Sequence, residues 1–248
     1  MKLSKNDEKF SMRRFFLAGN AVNGDQAVIT GDEARHLMRV LRLKPGCRVE
    51  LFDGRGTVFR AVINALSAEG VSFSLLERCC EDHGDAARII LGLGMLKGKK
   101  MDLVIQKATE LGVHAVFPVE TSFCEKRRNQ RLPLSRWQRI VIEACKQCRR
   151  SVLMEISPLV DFSDFIGLSF NKKLLFAEQE RKKTLADIDF TGSETVALLV
   201  GPEGGFSEKE VTAAGRAGFC SVSLGENILR AETAALTAIA VTRFLLGR

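Results

Sequence analysis

The stretch LLVGPEGGFSEKE (198–210) runs from a buried strand through Gly-Pro-Glu-Gly-Gly into a capped helix. Ser207 and Glu210 have the spacing of a capping box and open a helix over 207–217. Glycines at the carboxyl end of a strand let backbone approach a ligand closely. In open α/β sheets ligands bind at that end. An ordinary strand-to-helix turn also uses Gly and Pro, so the stretch alone leaves both readings open. It is not a phosphate loop, because no Gly-Lys-Ser/Thr follows the glycines.

Working outward, the same order of strand and helix repeats. RIILGLG (88–94) reads as a buried strand ending in glycines. A helix over 98–111 follows, with Met101, Val104, Ile105, Ala108 and Leu111 on one face. VHAVFPV (113–119) is a strand, and a helix over 135–150 carries Trp137, Ile140, Val141, Ala144 and Cys148 at helical spacing. KLLFAE (173–178), TVALLVG (195–201) and SVSL (221–224) are strands, and 231–246 is a last helix. Strands alternating with helices predict an α/β fold, a parallel sheet with helices on both faces.

The N-terminal third differs. Residues 1–11 read as a loose polar tail without the apolar stretch of a signal peptide. RRFFL (13–17) is strand-like. TGDEARHLMRVLRL (30–43) reads as a short helix, with Thr30 and Glu33 spaced as a capping box and KPG (44–46) ending it. Short runs over 48–52, 57–63 and 71–77, with DGRG (53–56) as a turn, predict a small N-terminal β-barrel or sandwich. The polar CCEDHGDAA marks a boundary near 80–87, giving domains 12–82 and 83–248.

The chain has 248 residues, 46% of them hydrophobic, ample for packed cores, and a formal net charge of +7 that suits a polyanionic partner without demanding one. No apolar run approaches the roughly 18–20 residues of a membrane helix. Seven cysteines, an odd number, argue against a disulfide scaffold and for reduced thiols in the cytosol. A soluble cytoplasmic protein is expected.

A second glycine loop stands in SLGENILRAETAAL (223–236), where a strand ends before a helix and the loop holds Asn227, Arg230, Glu232 and Thr233 beside Ile228 and Leu229. Two such loops converge if their strands are neighbours, forming a pocket of backbone groups able to hold an adenosine. Cys145 and Cys148 form a Cys-x-x-Cys. A zinc site needs two more ligands and no second pair exists; a redox pair sits at a helix start, not in a last turn. The pair therefore reads as structural. His36, His83 and His114 are scattered, so no metal is expected. Basic clusters at Arg13–Arg14, Lys97–Lys100, Lys126–Arg131 and Arg149–Arg150 are ordinary solvated surface singly and a plausible RNA-facing stripe together.

GPEGGFSEKE, LGENILRAETAAL, KATELGV (107–113), EACKQCRR (143–150) and HLMRVLR (36–42) occur here in the order in which they occur in the ribosomal small-subunit methyltransferase E family, which this sequence resembles over about residues 12–248. Those enzymes transfer a methyl from S-adenosylmethionine, leaving S-adenosylhomocysteine, to N3 of one uridine in 16S ribosomal RNA. The resemblance implies a PUA-like barrel, then a SPOUT α/β domain with a trefoil knot, a feature nearly absent elsewhere, and a homodimer without a metal. The implied cofactor site takes in Phe176 and Ala177, then Val200, Gly201, Pro202, Glu203, Gly204 and Gly205. It continues through Leu224, Gly225, Ile228, Leu229, Arg230, Thr233 and Ala234. Arg13, Arg14, Arg39, Arg42, Lys97, Lys100, Gln147 and Arg150 are the implied RNA-binding residues. The family usually carries Ala/Glu-Gln-x-x-Arg in the middle helix; here Cys145 and Cys148 flank Lys146 and Gln147, while Gln147 and Arg150 keep the Gln-x-x-Arg spacing.

In such a reaction the proton on uracil N3 must be removed, or the resulting anion stabilised over two carbonyl oxygens. Arg230 is the candidate donor to such an oxygen; Glu203 and Glu232 are candidate proton acceptors or loop-orienting groups. A non-catalytic RNA-binding protein and a ribose 2′-oxygen methyltransferase are the competing readings. Arg35, Arg39 and Arg42, spaced by four and three, are expected on one helix face tracking phosphates.

Overall fold

The computed structural model describes residues 12–19, 21–80, 87–124 and 132–247. The expected tail 1–11, His83 and the Lys126–Arg131 cluster lie outside the described residues. The chain divides into two units, one made of Met1–Gly84 with Cys145–Leu153 and the other of Asp85–Ala144 with Met154–Arg248.

In the first unit, β1 (Arg14–Phe16), β2 (Val22–Asn23), β3 (Gln26–Ile29), β4 (Arg48–Phe52), β5 (Thr57–Leu66) and β6 (Val71–Cys80) form a six-stranded sheet in the order β1-β4-β5-β6-β3-β2. β1 runs parallel to β4, and the other pairings are antiparallel. Alternate residues turn inward, as the two-residue period of a strand dictates. Phe15, Val49, Leu51, Phe59, Ala61, Ile63 and Phe73 meet Leu37 in one core.

The helix expected over 30–43 is corrected. A helix covers Gly31–Arg35 and a π-helical turn follows over His36–Val40, where the Leu41 N–H reaches the His36 carbonyl at 3.1 Å. Thr30 makes no side-chain cap. Its intended partner is engaged elsewhere: the Glu33 carboxylate accepts the Phe16 N–H at 3.3 Å and pairs with Lys146 at 3.0 Å. The wide turn also breaks the arginine face. Arg35 pairs with Asp32 on its own helix, Arg39 lies in the π turn, and Arg42 leaves with a left-handed φ of 48°.

Residues 145–153 supply the partner of this unit's buried carboxylate. Arg149, at φ 62°, donates to Glu50 at 2.8 Å and to the Met12 carbonyl at 3.0 Å, and Glu50 is only 1% exposed. Arg14 donates to the Arg149 carbonyl and lies over the Phe52 ring at 4.8 Å. Arg14, one of the expected RNA-binding residues, is thus only 6% exposed. Gly54 is required where this segment crosses: a Cβ there would come within 2.8 Å of Leu153. Cys145 is buried and Cys148 exposed, so the Cys-x-x-Cys thiols face different surroundings.

In the second unit, β7 (Arg88–Gly94), β8 (Ala115–Glu120), β10 (Val160–Asp161), β11 (Lys172–Phe176), β12 (Thr195–Val200) and β13 (Cys220–Val222) run in the order β10-β8-β7-β12-β11-β13, with β9 (Glu155–Ile156) also beside β8. Every pairing is parallel. The continuous apolar runs of β7, β11 and β12 follow from burial on both faces. Gly92 makes room for Phe165, whose ring would lie 2.4 Å from a Cβ.

The capping box at Ser207 forms. The Glu210 N–H donates to Ser207 Oγ at 3.3 Å, and the Ser207 N–H to Glu210 Oε2 at 2.8 Å. The other carboxylate oxygen accepts the Ser122 N–H at 2.8 Å, which explains how Glu210 tolerates 8% exposure. The helix Glu208–Arg216 is thereby fixed at its start.

Candidate functional site

A cavity of about 360 Å³ opens at the carboxyl ends of β11, β12 and β13. The strands carrying the two glycine loops are not neighbours: β11 lies between β12 and β13. The loops converge across it, and the loop after β11 becomes a third wall, so Glu178, Gln179, Glu180 and Arg181 line the cavity without having been anticipated. Strand adjacency is a tertiary property, and the sequence carries no signal for it beyond the position of 178–181 at a strand end.

The first loop turns sharply. Gly205, at φ +68°, donates its N–H to the Pro202 carbonyl at 2.9 Å. Pro202 sits against Gly94, where a Cβ would come within 2.4 Å of the proline ring. The second loop is shaped by Gly225 at φ +125°, a conformation that L side chains rarely adopt. Ser223 closes it, donating to the Gly225 carbonyl at 3.0 Å and accepting the Gly225 N–H at 3.2 Å. The third wall is tied to the second loop by Arg181 donating to the Glu226 carbonyl at 2.8 Å and by the Ser223 N–H donating to the Lys183 carbonyl at 2.7 Å. Glu180 is held below the usual carboxylate range by the backbone N–H groups of Lys182 and Lys183.

Phe176, Ala177, Val200 to Gly205, Leu224, Gly225, Ile228, Leu229, Arg230 and Ala234 all line the cavity. Thr233 is exposed and Glu232 stands behind the lining, so neither is brought to it directly. Arg13, Arg39, Arg42, Lys97 and Gln147 are exposed; Arg150 is half-buried, and burial pushes its guanidinium below the ordinary value.

Lys100 is placed by the start of the helix Lys100–Glu110 at the cavity wall. Its ammonium lies 3.0 Å from Glu203 Oε1 and 3.4 Å from Glu232 Oε2. Glu203 Oε1 also accepts the Lys97 N–H at 3.2 Å. The Lys100 ammonium is raised above its ordinary value, first by its hydrogen bond to Glu203. Burial pushes Glu203 upward, but its own backbone N–H, Lys100 and the Lys97 N–H together hold it below the usual range. Apolar Phe176, Phe206, Ile228 and Leu229 offer a flat ring its surface. No cluster of three metal-ligating side chains exists among the described residues.

A family model described as an RNA methyltransferase domain matches residues 84–243, and one described as an RNA methyltransferase PUA domain matches residues 29–76. The ribosomal RNA small subunit methyltransferase E of Rickettsia conorii is 31% identical over 237 residues, covering 94% of this chain and 95% of that protein. The chain belongs to the ribosomal RNA small subunit methyltransferase E family. Among solved members of that family, the Neisseria gonorrhoeae enzyme bound to S-adenosyl methionine superposes with a TM-score of 0.85 at 34% identity, covering 94% of this chain and 98% of that one. A methyltransferase of Legionella pneumophila in complex with bound SAM gives 0.87 at 30% identity, with coverage of 94% and 98%. The chain carries both matched domains, the PUA match falling in the first unit and the methyltransferase match mostly in the second.

Proposed function

We propose that this chain is an S-adenosylmethionine-dependent methyltransferase acting on N3 of a specific uridine in 16S ribosomal RNA of the small subunit. The observation that carries the reading is the cavity where three strand-end loops meet, backbone-rich inside and acidic at Glu203. The residues fit the cofactor. Gly201 faces Gly205 so closely that a Cβ would lie 3.1 Å from its carbonyl carbon, leaving backbone as the wall. When bound there, S-adenosylmethionine supplies an electrophilic methyl on a cationic sulfur. A carboxylate beside the cavity favours that cation electrostatically. Arg230 donates to a uracil oxygen as charge develops on it, and Glu203 receives the N3 proton or orients the first loop.

Residues 12–82 form the RNA-binding, PUA-like barrel, supported by the six-stranded sheet and the PUA match. Residues 83–248 form the SPOUT domain with its trefoil knot, supported by the crossover order that returns β12 to mid-sheet. The assembly is a homodimer in the cytoplasm. Its support is the last helix, Ala231–Leu245, which leaves Phe244 80% exposed beside exposed Val241 and Leu245. Unpaired rRNA is the substrate, since a duplex hides N3 in its base pair. The test is methylation of small subunits by purified protein, followed by nuclease digestion and mass spectrometry. A methyl on uracil N3 is expected; a methyl on ribose, or none, overturns the reading.

A further inference from the structure

Two carboxylates from different glycine loops meet the same ammonium. Glu203 follows β12, and Glu232 opens the helix after β13. Lys100 reaches Glu203 Oε1 at 3.0 Å and Glu232 Oε2 at 3.4 Å from a third element, the helix after β7. Of the three, Lys100 and Glu203 line the cavity and Glu232 does not. The Glu232 side chain is 14% exposed and its Oε2 has no hydrogen bond, so its interaction there is with the Lys100 charge. The Lys97 N–H fixes the same Glu203 oxygen from the side. The chain thus goes from a recessed anchor, Glu232, through Lys100, to a carboxylate at the cavity.

We propose that Lys100 is a positioning residue for methyl transfer, anchored from behind by Glu232 and holding the Glu203 carboxylate ionised and in one place at the cavity wall. Without the ammonium, two carboxylates face each other across a partly desolvated gap, and such a pair resists double ionisation. Glu203 then spends more of its time protonated or turned away. The other charged groups lining the cavity are Arg181 and Arg230, with Glu178 and Glu180 on the third wall. Arg181 is engaged with the Glu226 carbonyl and does not replace Lys100. This assignment rests on the proposed function, and it gives Glu232 a supporting place instead of a direct part in proton transfer.

The test compares wild type, Lys100→Met, Lys100→Arg and Glu232→Gln in methyl transfer to small subunits across a pH series, with S-adenosylhomocysteine affinity by calorimetry. Lys100→Met is expected to lower kcat about ten- to a hundredfold, the loss of one charged hydrogen bond at a reacting group. The acidic limb of its kcat profile moves to higher pH, because Glu203 loses the cation that holds it low. Lys100→Arg restores most of the rate and the original limb; Glu232→Gln falls between. Wild-type turnover tests the function itself. In a series where the wild type turns over, Lys100→Met with an unshifted limb overturns the assignment alone, and so does an equal loss in Lys100→Met and Lys100→Arg, which marks a merely structural lysine.

Discussion

Gly225 and Gly204 both stand at the cavity, yet substituting them has different consequences. A Cβ on Gly204 would meet the Phe123 Cβ at 2.8 Å, so Gly204→Val disturbs a neighbouring segment as well as the cavity. At Gly225 nothing lies within 4 Å, and the obstacle is φ +125° itself. Forcing a β-branched residue into such backbone costs about 1–3 kcal/mol. Gly225→Val is therefore expected to stay folded with its second loop rearranged, and to lose S-adenosylhomocysteine binding. The unsubstituted chain is expected to bind with roughly 7–8 kcal/mol, a low- to mid-micromolar Kd. Wild-type affinity in the variant, measured by calorimetry, removes Gly225 from the site. Arg230 differs again. Arg230→Ala is expected to keep cofactor and rRNA binding while turnover falls about a hundredfold or more, the usual effect of losing a donor to a developing anion. Near-normal turnover at saturating substrates places Arg230 away from the reacting base.

Elements were legible in proportion to how locally they are determined. The helix Glu208–Arg216 and its start were readable because Ser207 and Glu210 satisfy each other within one turn. Ser207→Ala is expected to cost about 1 kcal/mol, seen as a lower denaturant midpoint with unchanged slope. Thr30 and Glu33 show the same spacing, but Glu33 is drawn to Lys146, 113 positions away, and no local pattern announces that. The π turn at His36–Val40 was hidden for a related reason: Leu37 is fully buried, and burial decides the backbone there. Both glycine loops were visible as loops at strand ends. That β11 separates them, bringing Glu178–Arg181 into the cavity, depends on strand order, as does the approach of Lys100 to Glu203 over 103 positions. Arg39 in the π turn and Arg42 just after it are exposed. Arg39→Ala with Arg42→Ala is expected to weaken rRNA binding and flatten its salt dependence by up to about two phosphate contacts, with S-adenosylhomocysteine binding unchanged. An unchanged salt slope removes that turn from the RNA surface.

For the whole molecule, a homodimer is expected because Phe244, Val241 and Leu245 are left to solvent near the end of the last helix. Light scattering at micromolar protein checks this, and a monomer contradicts it. The first unit is also discontinuous, with Cys145–Leu153 included in it. Arg149 on that segment is the ion-pair partner of Glu50, and leaving such a buried carboxylate alone costs about 3–5 kcal/mol. A fragment ending near residue 82 is accordingly expected to unfold at lower denaturant than the same region in the full chain. The discontinuity also sets an order of events during synthesis. The strands of the first unit are complete at Cys80, but the arginine that neutralises Glu50 is translated only later. At about 5–20 residues per second the nascent sheet waits several seconds for its missing piece, with one charge buried early or the sheet left ajar.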